Sequence, residues 1–598
     1  MEILKKLINV LNKKEKSKLY SLQFFNITNA IIEIILFSAL ALFISLISFQ
    51  DDNKKRLVDS KYLEGLFDLF KIYELSEKIF YLGAALILTF ALSLMFNIFV
   101  NWFNAKFIFL FQKRLTERIF EHSINQNWLY YTKNSVVTIT KNILVDCSAV
   151  TQKIIIPSLN FISKIFVTIS IIFVVSTINF KLALGAFIIF SIIYFLLLFI
   201  SSKSIKKNSK EDSYNREFTN KIILETFSGI KEIKLFNLEN HFKKNFFKIL
   251  ENNILPQTKV HALANIPRYF VEFIAYTSVI LFIIISLTFN DSSTLILPTI
   301  ALYGFAGLKL LPAFQQMYLA IVNIKSGKIF FKNIKNKLNF ANTKHLNTNF
   351  LKIRKDIKLN KINFHYELFE KKSFGVKNIS FTFKKNSIYG IVGKTGSGKT
   401  TLIDILTGLI KPSSGEIMID GKALKHKSIS KWKKNFSLVP QNPFFYNSSI
   451  KRNVAIGQND NEINESKILN CLKDADINML ISKLNDGIET KMGHHGIKFS
   501  GGERQRIAIA RALYMNKDVI IFDEATSALD NITERVILKT IKKIKKNRII
   551  IIITHRTNTL KICDKIAFIN SGQIEAQGSY NSLMSKNKKF REISNQKY

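Results

Sequence analysis

Ser387-Ile388-Tyr389-Gly390-Ile391-Val392, running into Gly393-Lys394-Thr395-Gly396-Ser397-Gly398-Lys399-Thr400-Thr401, decides how the second half of this chain folds. The first six residues are a short β-favouring run, and the pattern turns helical over 401–409. The glycine-rich stretch between them therefore sits where a strand hands over to a helix, the context a phosphate-binding loop requires. Glycines let successive backbone N–H groups close on phosphate oxygens, and the helix N-terminus adds partial positive charge. On this reading Lys399 reaches the β- and γ-phosphates of a nucleotide, and the Thr400 hydroxyl ligates Mg2+.

Further along, apolar run 519–522 ends in Asp523-Glu524. Asp523 suits magnesium and Glu524 suits a general base on an attacking water. Two adjacent acids could equally open a helix, but the upstream loop weighs against that. Phe499-Ser500-Gly501-Gly502-Glu503, followed by Arg504 and the helical pattern 505–515, offers a second phosphate-binding surface. Short β-rich runs at 387–392, 436–439, 519–522 and 549–553 alternate with helical patterns, which predicts an α/β domain with a largely parallel sheet.

Ahead of this domain the composition changes. Of 598 residues, 47% are hydrophobic and 22% charged, with 86 Lys+Arg against 44 Asp+Glu and a net charge of +42. That apolar content excludes a disordered basic protein, and 52 Phe with 18 Tyr exclude low complexity. The three cysteines, Cys147, Cys471 and Cys563, are too scattered for a disulfide framework or a metal site. Only 14 of the basic residues are Arg, so the charge follows a Lys/Asn/Ile-rich composition as readily as it follows a polyanionic partner.

Apolar runs near the ~20 residues needed to cross a bilayer occur at 27–48, 79–100, 161–178, 182–200, 270–287 and 295–321. Connections after runs one, three and five are short, about 30, 3 and 7 residues; those after runs two and four are much longer. The fourth-to-fifth connection carries Lys203, Lys206, Lys207 and Lys210, and 288–294 carries no cation. Positive loops lie inside, which puts the N-terminus, both long loops and the C-terminal half in the cytosol. The fold class expected is a membrane all-α domain of six spanning helices over 1–330, a linker over 331–355, and an α/β P-loop nucleotide-binding domain over 356–598. The basic segment before the first run reads as an amphipathic helix at the inner leaflet. Residues 51–78 read as an external one-faced helix that caps the spans or touches an acyl or polyprenyl chain.

At this point the chain resembles the ATP-binding-cassette transporters of exporter architecture, and the likeness covers nearly its whole length. In that family the serine-glycine-glycine signature of one subunit closes over ATP held by the P-loop of the other. Here Phe499 stands for the usual leucine and Glu503 for the usual glutamine, while Ser500, Gly501 and Gly502 are kept. The resemblance implies that Tyr366 stacks on adenine, although its place also suits an ordinary strand tyrosine. It implies that Gln441 senses magnesium, that Asp530 lies in the loop crossing the dimer interface, and that His555 contacts the γ-phosphate. His494 and His495 fall in a glycine-bounded loop and are assigned no metal. ATP and Mg2+ are the cofactors implied, and one cassette with whole motifs implies a homodimer.

Among the charges inside apolar runs or at their edges are Glu33, Lys309, and Arg268 four residues before Glu272. A charge at the centre of a spanning helix costs ~2.5–3.5 kcal/mol on insertion scales, so each must face a cavity or a partner. They read either as Arg268–Glu272 and Lys309–Glu33 pairs or as a basic cavity for an anionic headgroup. The membrane half resembles the lipid-linked oligosaccharide flippases of bacterial protein glycosylation, through Leu4-Lys5-Lys6-Leu7, Pro267-Arg268 with Glu272, and a cation two residues before Leu311-Pro312. That resemblance implies a flippase moving an amphipathic lipid or glycolipid from the inner to the outer leaflet of the inner (cytoplasmic) membrane. Multidrug, lipid A and peptide exporters share the architecture. A nucleic-acid partner would suit the charge but not six spans.

Overall fold

The computed structural model describes residues 2–48, 74–178, 180–288, 296–338, 351–366, 375–526 and 529–595. Most of the stretch read as an external helix, and all but Thr288 of the turn before the sixth run, lie outside the described residues. The chain divides into two compact units, Met1–Gln126 with Tyr130–Asn342, and Asn127–Leu129 with Thr343–Tyr598.

The first unit is helical. Among the described residues a short α1 (Glu2–Ile8) precedes six long helices, α2 (Lys13–Ser48), α3 (Leu75–Ile124), α4 (Ile156–Ile178), α5 (Phe180–Ser228), α6 (Glu239–Thr288) and α7 (Ile296–Lys335). Each long helix carries one of the six apolar runs. Four helical stretches are long and apolar enough to cross a membrane on their described residues: Lys13–Leu40, Ile79–Ile124, Val136–Ser176, which joins the turns ahead of α4 to α4 itself, and Gly304–Lys335. On α3, Ile87, Leu88, Leu92, Leu94, Met95 and Ile98 are all exposed. A helix with such a face is stable only where its surroundings are themselves apolar.

The long connections turn out to be helix. At 1.5 Å per residue, the 50 residues of α3 span about 75 Å, more than twice the ~30 Å hydrocarbon layer. The chain reverses through the short helices Trp128–Lys133 and Val136–Lys141 after α3, and Ile230–Leu235 after α5. Beyond the apolar runs the helices share a core of Phe107, Phe111, Leu115, Ile119, Val150, Ile154, Phe330 and Ile334.

Two expectations change here. The basic N-terminal segment was expected to lay its apolar face on lipid, but Leu7, Val10 and Leu11 are buried in that protein core. The polar stretch read as linker from residue 331 begins as the last turn of α7, because Ile329, Phe330, Phe331 and Ile334 form an apolar face beneath its lysines. Opposite α7, the backbone widens into π-helical turns at Asn142–Asp146 and Thr151–Ile155. The helices cross closely there: a Cβ on Gly327 would lie 2.6 Å from Ile154 Cγ1 and 3.0 Å from Lys153 Cβ.

Among its described residues the second unit holds ten strands: β1 (Asp356–His365), β2 (Gly375–Lys384), β3 (Ser387–Val392), β4 (Ser414–Ile419), β5 (Lys422–Ala423), β6 (Phe436–Val439), β7 (Val519–Asp523), β8 (Ile549–Ile553), β9 (Lys565–Asn570) and β10 (Gln573–Gly578). The main sheet has the order β10-β9-β3-β8-β7-β6 and is parallel except for its β10 edge. All five isoleucines of β8 are buried, as expected where both faces of a parallel sheet are covered. A second sheet, β2-β1-β4-β5, is antiparallel and was not read from the sequence. The P-loop helix α8 (Lys399–Leu406), the signature helix α9 (Gly501–Met515) and α10 (Asn531–Ile544) complete the framework used below.

Gly327→Ala should loosen the crossing of α7 with Thr151–Ile155 and cost about 1–3 kcal/mol, the usual range for overpacking. A thermal melt of the detergent-solubilised protein reads this directly.

Candidate functional site

Neighbouring parallel strands deliver the candidate residues from their C-terminal ends, where open α/β sheets bind ligands. Register sets the geometry: Val439 on β6 pairs with Phe522 on β7, Asp523 pairs with Ile553 on β8, and Ile553 pairs with Ile391 on β3. Just beyond these pairs lie Gln441, Glu524, His555 and the glycine-rich loop. Gln441 Nε2 donates to Glu524 Oε2 at 2.7 Å. On the other side His555 Nε2 lies 3.1 Å from Glu524 Oε1. Glu524 is thus held from two sides, on a backbone with φ of 49°. The ladder keeps it in that uncommon conformation, since its N–H donates to the Ile553 carbonyl at 2.9 Å.

In the loop after β3, Gly396 and Gly398 have φ of 79° and 104°, conformations that side chains other than glycine rarely adopt. Gly393 is needed for space: a Cβ there would sit 2.2 Å from the Ile569 carbonyl oxygen and 2.5 Å from Ser397 Oγ. Lys399 Nζ donates to the Gly393 and Lys394 carbonyls at 2.7 and 3.0 Å. Lys394, Thr395, Gly396 and Thr400 are exposed, while Ser397 and Thr401 are buried. Tyr366 follows β1, whose His365 pairs with Gly375. The Gly375 carbonyl lies 3.4 Å from a Cβ built on Gly398, so that end of β1 borders the loop. The Tyr366 ring packs edge-on to Phe364 at 5.0 Å.

The charges in the cluster perturb one another. Burial pushes the Asp523 carboxyl up, the Glu524 charge adds to this, and Lys399 opposes it. Burial lowers the Lys399 ammonium, countered by Glu524 and Asp523. His555 is pushed below the ordinary imidazole range by burial and by Lys399, against the pull of Glu524, and is therefore neutral at physiological pH. Thr400, Gln441 and Asp523 supply only hard oxygen donors, a set that fits Mg2+ held by one carboxylate, nucleotide phosphates and water. No cluster of three His, Cys, Asp or Glu side chains able to hold a metal occurs among the described residues.

Ser500 caps α9 and explains one departure from the family pattern. Its Oγ accepts the Glu503 N–H at 3.3 Å, and Glu503 Oε2 accepts the Ser500 N–H at 2.8 Å. This reciprocal capping box turns the extra carboxylate back onto the helix end. Phe499, 7% exposed, fills the core where a smaller leucine is usual. Gly501 and Gly502 form the first turn of α9. Gln505, a turn further on, donates to the Pro440 carbonyl at 3.2 Å and so ties α9 to the segment bearing Gln441. Asp530 caps α10, accepting the Ile532 and Thr533 N–H groups at 3.1 and 3.2 Å; the Thr533 side chain first, and these backbone N–H groups with it, hold its carboxyl below the usual range.

In the helical unit, Arg268 Nε pairs with Glu272 Oε1 at 2.6 Å on an exposed face. Lys309 lies elsewhere, lining a cavity of about 20 Å³ with Glu33, Leu36, Phe37, Phe90, Ile171 and Phe305. That volume admits a water molecule and no more. Within one chain the two cations therefore do not share a cavity.

Sequence reasoning passed over Asp404, a polar residue among the apolar positions of α8. Burial and the Asp523 charge push its carboxyl up from 3.8 to about 6. A raised folded-state value favours the protonated form, so this carboxyl weakens the native state progressively as pH rises from about 4 to about 6. In nucleotide-free protein Asp404→Asn should then stabilise the fold by about 1–3 kcal/mol at pH 7.5 and by almost nothing at pH 4. Denaturant melts at the two pH values check the sign.

Two family models match the chain, the ABC transporter transmembrane region over residues 22–306 and the ABC transporter model over residues 376–527. The heterocyst differentiation ATP-binding protein HepA of Nostoc sp. (strain PCC 7120 / SAG 25.82 / UTEX 2576) is 29% identical, over 79% of this chain and 76% of its own. The ATP-dependent lipid A-core flippase of Francisella novicida is 27% identical, over 81% of each. A solved bacterial Atm1-family ABC exporter with ATP bound superposes with a TM-score of 0.77 at 20% identity, over 95% of this chain and 97% of that one, and so shares the fold. With one model matched on the helical unit and the other on the P-loop unit, the chain belongs to the ABC transporter family, a membrane region and an ATP-hydrolysing domain joined in one polypeptide.

Proposed function

We propose that two copies of this chain form an ATP-driven flippase of the inner membrane. Its cargo is an amphipathic lipid with an anionic headgroup, either a lipid-linked oligosaccharide or a lipid A-type glycolipid, carried from the inner to the outer leaflet. The observation that carries the cargo reading is the placement of half-buried Glu33 and exposed Lys309 on the otherwise apolar walls of one small cavity. Opposite charges in that setting are costly unless each answers the other or a ligand. The exposed Lys309 can meet a phosphate-bearing headgroup outside that cavity while the lipid tail never leaves the bilayer. Arg268, on an exposed face, is a second cation for the same headgroup at an interface between copies. The lipid A-core flippases among the relatives support this class of cargo.

For the ATPase, the glycine-rich loop and Lys399 hold the triphosphate, and Tyr366 stacks on the base. Ser500, Gly501 and Gly502 of the second copy close over the γ-phosphate, with Asp530 at the junction. Thr400, Gln441 and Asp523 would hold Mg2+, which supplies neutralising charge to the β- and γ-phosphates. Glu524 takes the proton as a water oxygen attacks the γ-phosphorus; the bond to the β–γ bridging oxygen breaks and ADP departs. Gln441 keeps the Glu524 carboxylate aimed, and neutral His555 turns its single N–H from Glu524 to the γ-phosphate once ATP is bound.

Glu524→Gln should keep ATP binding and lose about 100-fold or more in turnover, the usual weight of a general base. Steady-state hydrolysis alongside nucleotide binding tests this; turnover near the wild-type rate would remove Glu524 from the role. In proteoliposomes, Lys309→Ala should lower glycolipid translocated per ATP hydrolysed by about fivefold or more, a loss on the scale of one charged contact. A panel of lipid-linked sugars, lipid A and hydrophobic dyes separates the cargo classes. Unchanged coupling with every glycolipid, or stimulation by dyes alone, would overturn the cargo reading.

A further inference from the structure

A buried charge network next to the hydrolytic cluster has no part in the mechanism above. Glu534, on the first turn of α10, is 2% exposed, yet both its carboxylate oxygens are engaged. Thr559 Oγ1 donates to Oε1 at 2.9 Å, and the Arg556 guanidinium meets Oε2 at 3.1 Å. The same guanidinium donates from both terminal nitrogens to the Leu529 carbonyl, each at 3.3 Å. Leu529 directly precedes Asp530, the cap of α10, and Arg556 directly follows His555. One side chain therefore ties the start of α10 to the peptide that holds His555 against Glu524.

The chemistry favours arginine specifically. A cation beside a helix N-terminus is opposed by the helix dipole, so Arg556 is stable there only because Glu534 neutralises it. A planar guanidinium can meet a carboxylate and a carbonyl at once in fixed directions, whereas an ammonium is a flexible point charge. Removing the cation outright would leave Glu534 buried and unpaired, which is strongly destabilising.

We propose that Arg556 is a positioning residue for ATP hydrolysis, fixing Leu529–Asp530 against His555 so that the interface loop and the hydrolytic cluster move as one piece. The inference rests on the reading of Glu524 and His555 as hydrolytic groups and adds to it a residue that touches neither nucleotide nor water.

The test uses full-length protein in detergent or nanodiscs and measures kcat, KM for ATP and melting temperature together. Arg556→Lys keeps a charge for Glu534, so it should melt near wild type and keep KM within about twofold while kcat falls about tenfold or more. Glu534→Gln should lower kcat in the same direction with Arg556 in place, which guards against a lysine variant that does not fold. Thr559→Val is the structural control: it removes a buried bond to Glu534 without touching the Arg556–Leu529 contact, and should lower the melting temperature while keeping kcat. Wild-type kcat in Arg556→Lys or Glu534→Gln, or an equal kcat loss in Thr559→Val, would overturn the proposal. If Glu524→Gln and His555→Ala still turn over while Arg556→Lys does not, the hydrolytic assignment fails and the positioning role stands.

Discussion

Hydrogen-bonded register between adjacent parallel strands carries the nucleotide end of this molecule. β6, β7, β8 and β3 lie side by side with Val439 opposite Phe522, Asp523 opposite Ile553, and Ile553 opposite Ile391. Each strand ends within two residues of a group that must act with its neighbours. The register is held by apolar burial on both faces, and β8 contributes five isoleucines in a row. Each fully buried side chain of that size stabilises the fold by roughly 1.5–3 kcal/mol relative to exposure. A slip of one residue would move every side chain to the opposite face and part Glu524 from Gln441 and His555. Precision at the site is thus a consequence of the core beneath it, and the strained backbone at Glu524 is tolerated because the ladder on β8 fixes its N–H.

The helical unit obeys a different constraint. An apolar surrounding removes the drive to bury leucine, so helices associate through close packing and a few polar contacts. Asn29 donating to Asn97 at 2.8 Å, between α2 and α3, is one such contact. Beyond the apolar runs the same helices enter an ordinary buried core, with Leu7, Phe111, Leu115, Ile154 and Phe330, and there charge can be paired at close range. Lys141 with Glu217 at 2.8 Å is a pair whose cation is almost wholly enclosed, while Asp212 accepts from both Arg216 and Gln257 at 3.0 Å. One continuous helix therefore meets two environments, which is why its sequence changes character midway without a break in structure.

Glu503 shows how a departure from a family pattern can be locally self-consistent. A carboxylate at this point brings negative charge towards the place a phosphate is expected. The capping box directs that charge to the Ser500 N–H, where the helix dipole favours it. Phe499 is accommodated by the same logic, as one more apolar side chain in a core that already holds Phe445 and Met492.

Local pattern was enough for the division into a helical half and an α/β half, for the six apolar runs, and for the strand–loop–helix of the P-loop, because each is written in consecutive residues. It also singled out Asp523 and Glu524 as candidates, and the family resemblance singled out Gln441 and His555; the sheet brings these four to neighbouring strand ends. What it could not give was pairing between distant segments. The second sheet arises when β1 finds β2 and β4, and neither strand alternates cleanly enough to announce a partner. The burial of the N-terminal apolar face against α3, the separation of Arg268 from Lys309, and the Arg556–Glu534–Leu529 tie all depend on which segments meet in space. Periodicity and composition determine what each segment is; only the folded chain decides which charges are close enough to feel one another, since electrostatic coupling falls with distance and desolvation depends on every neighbour at once.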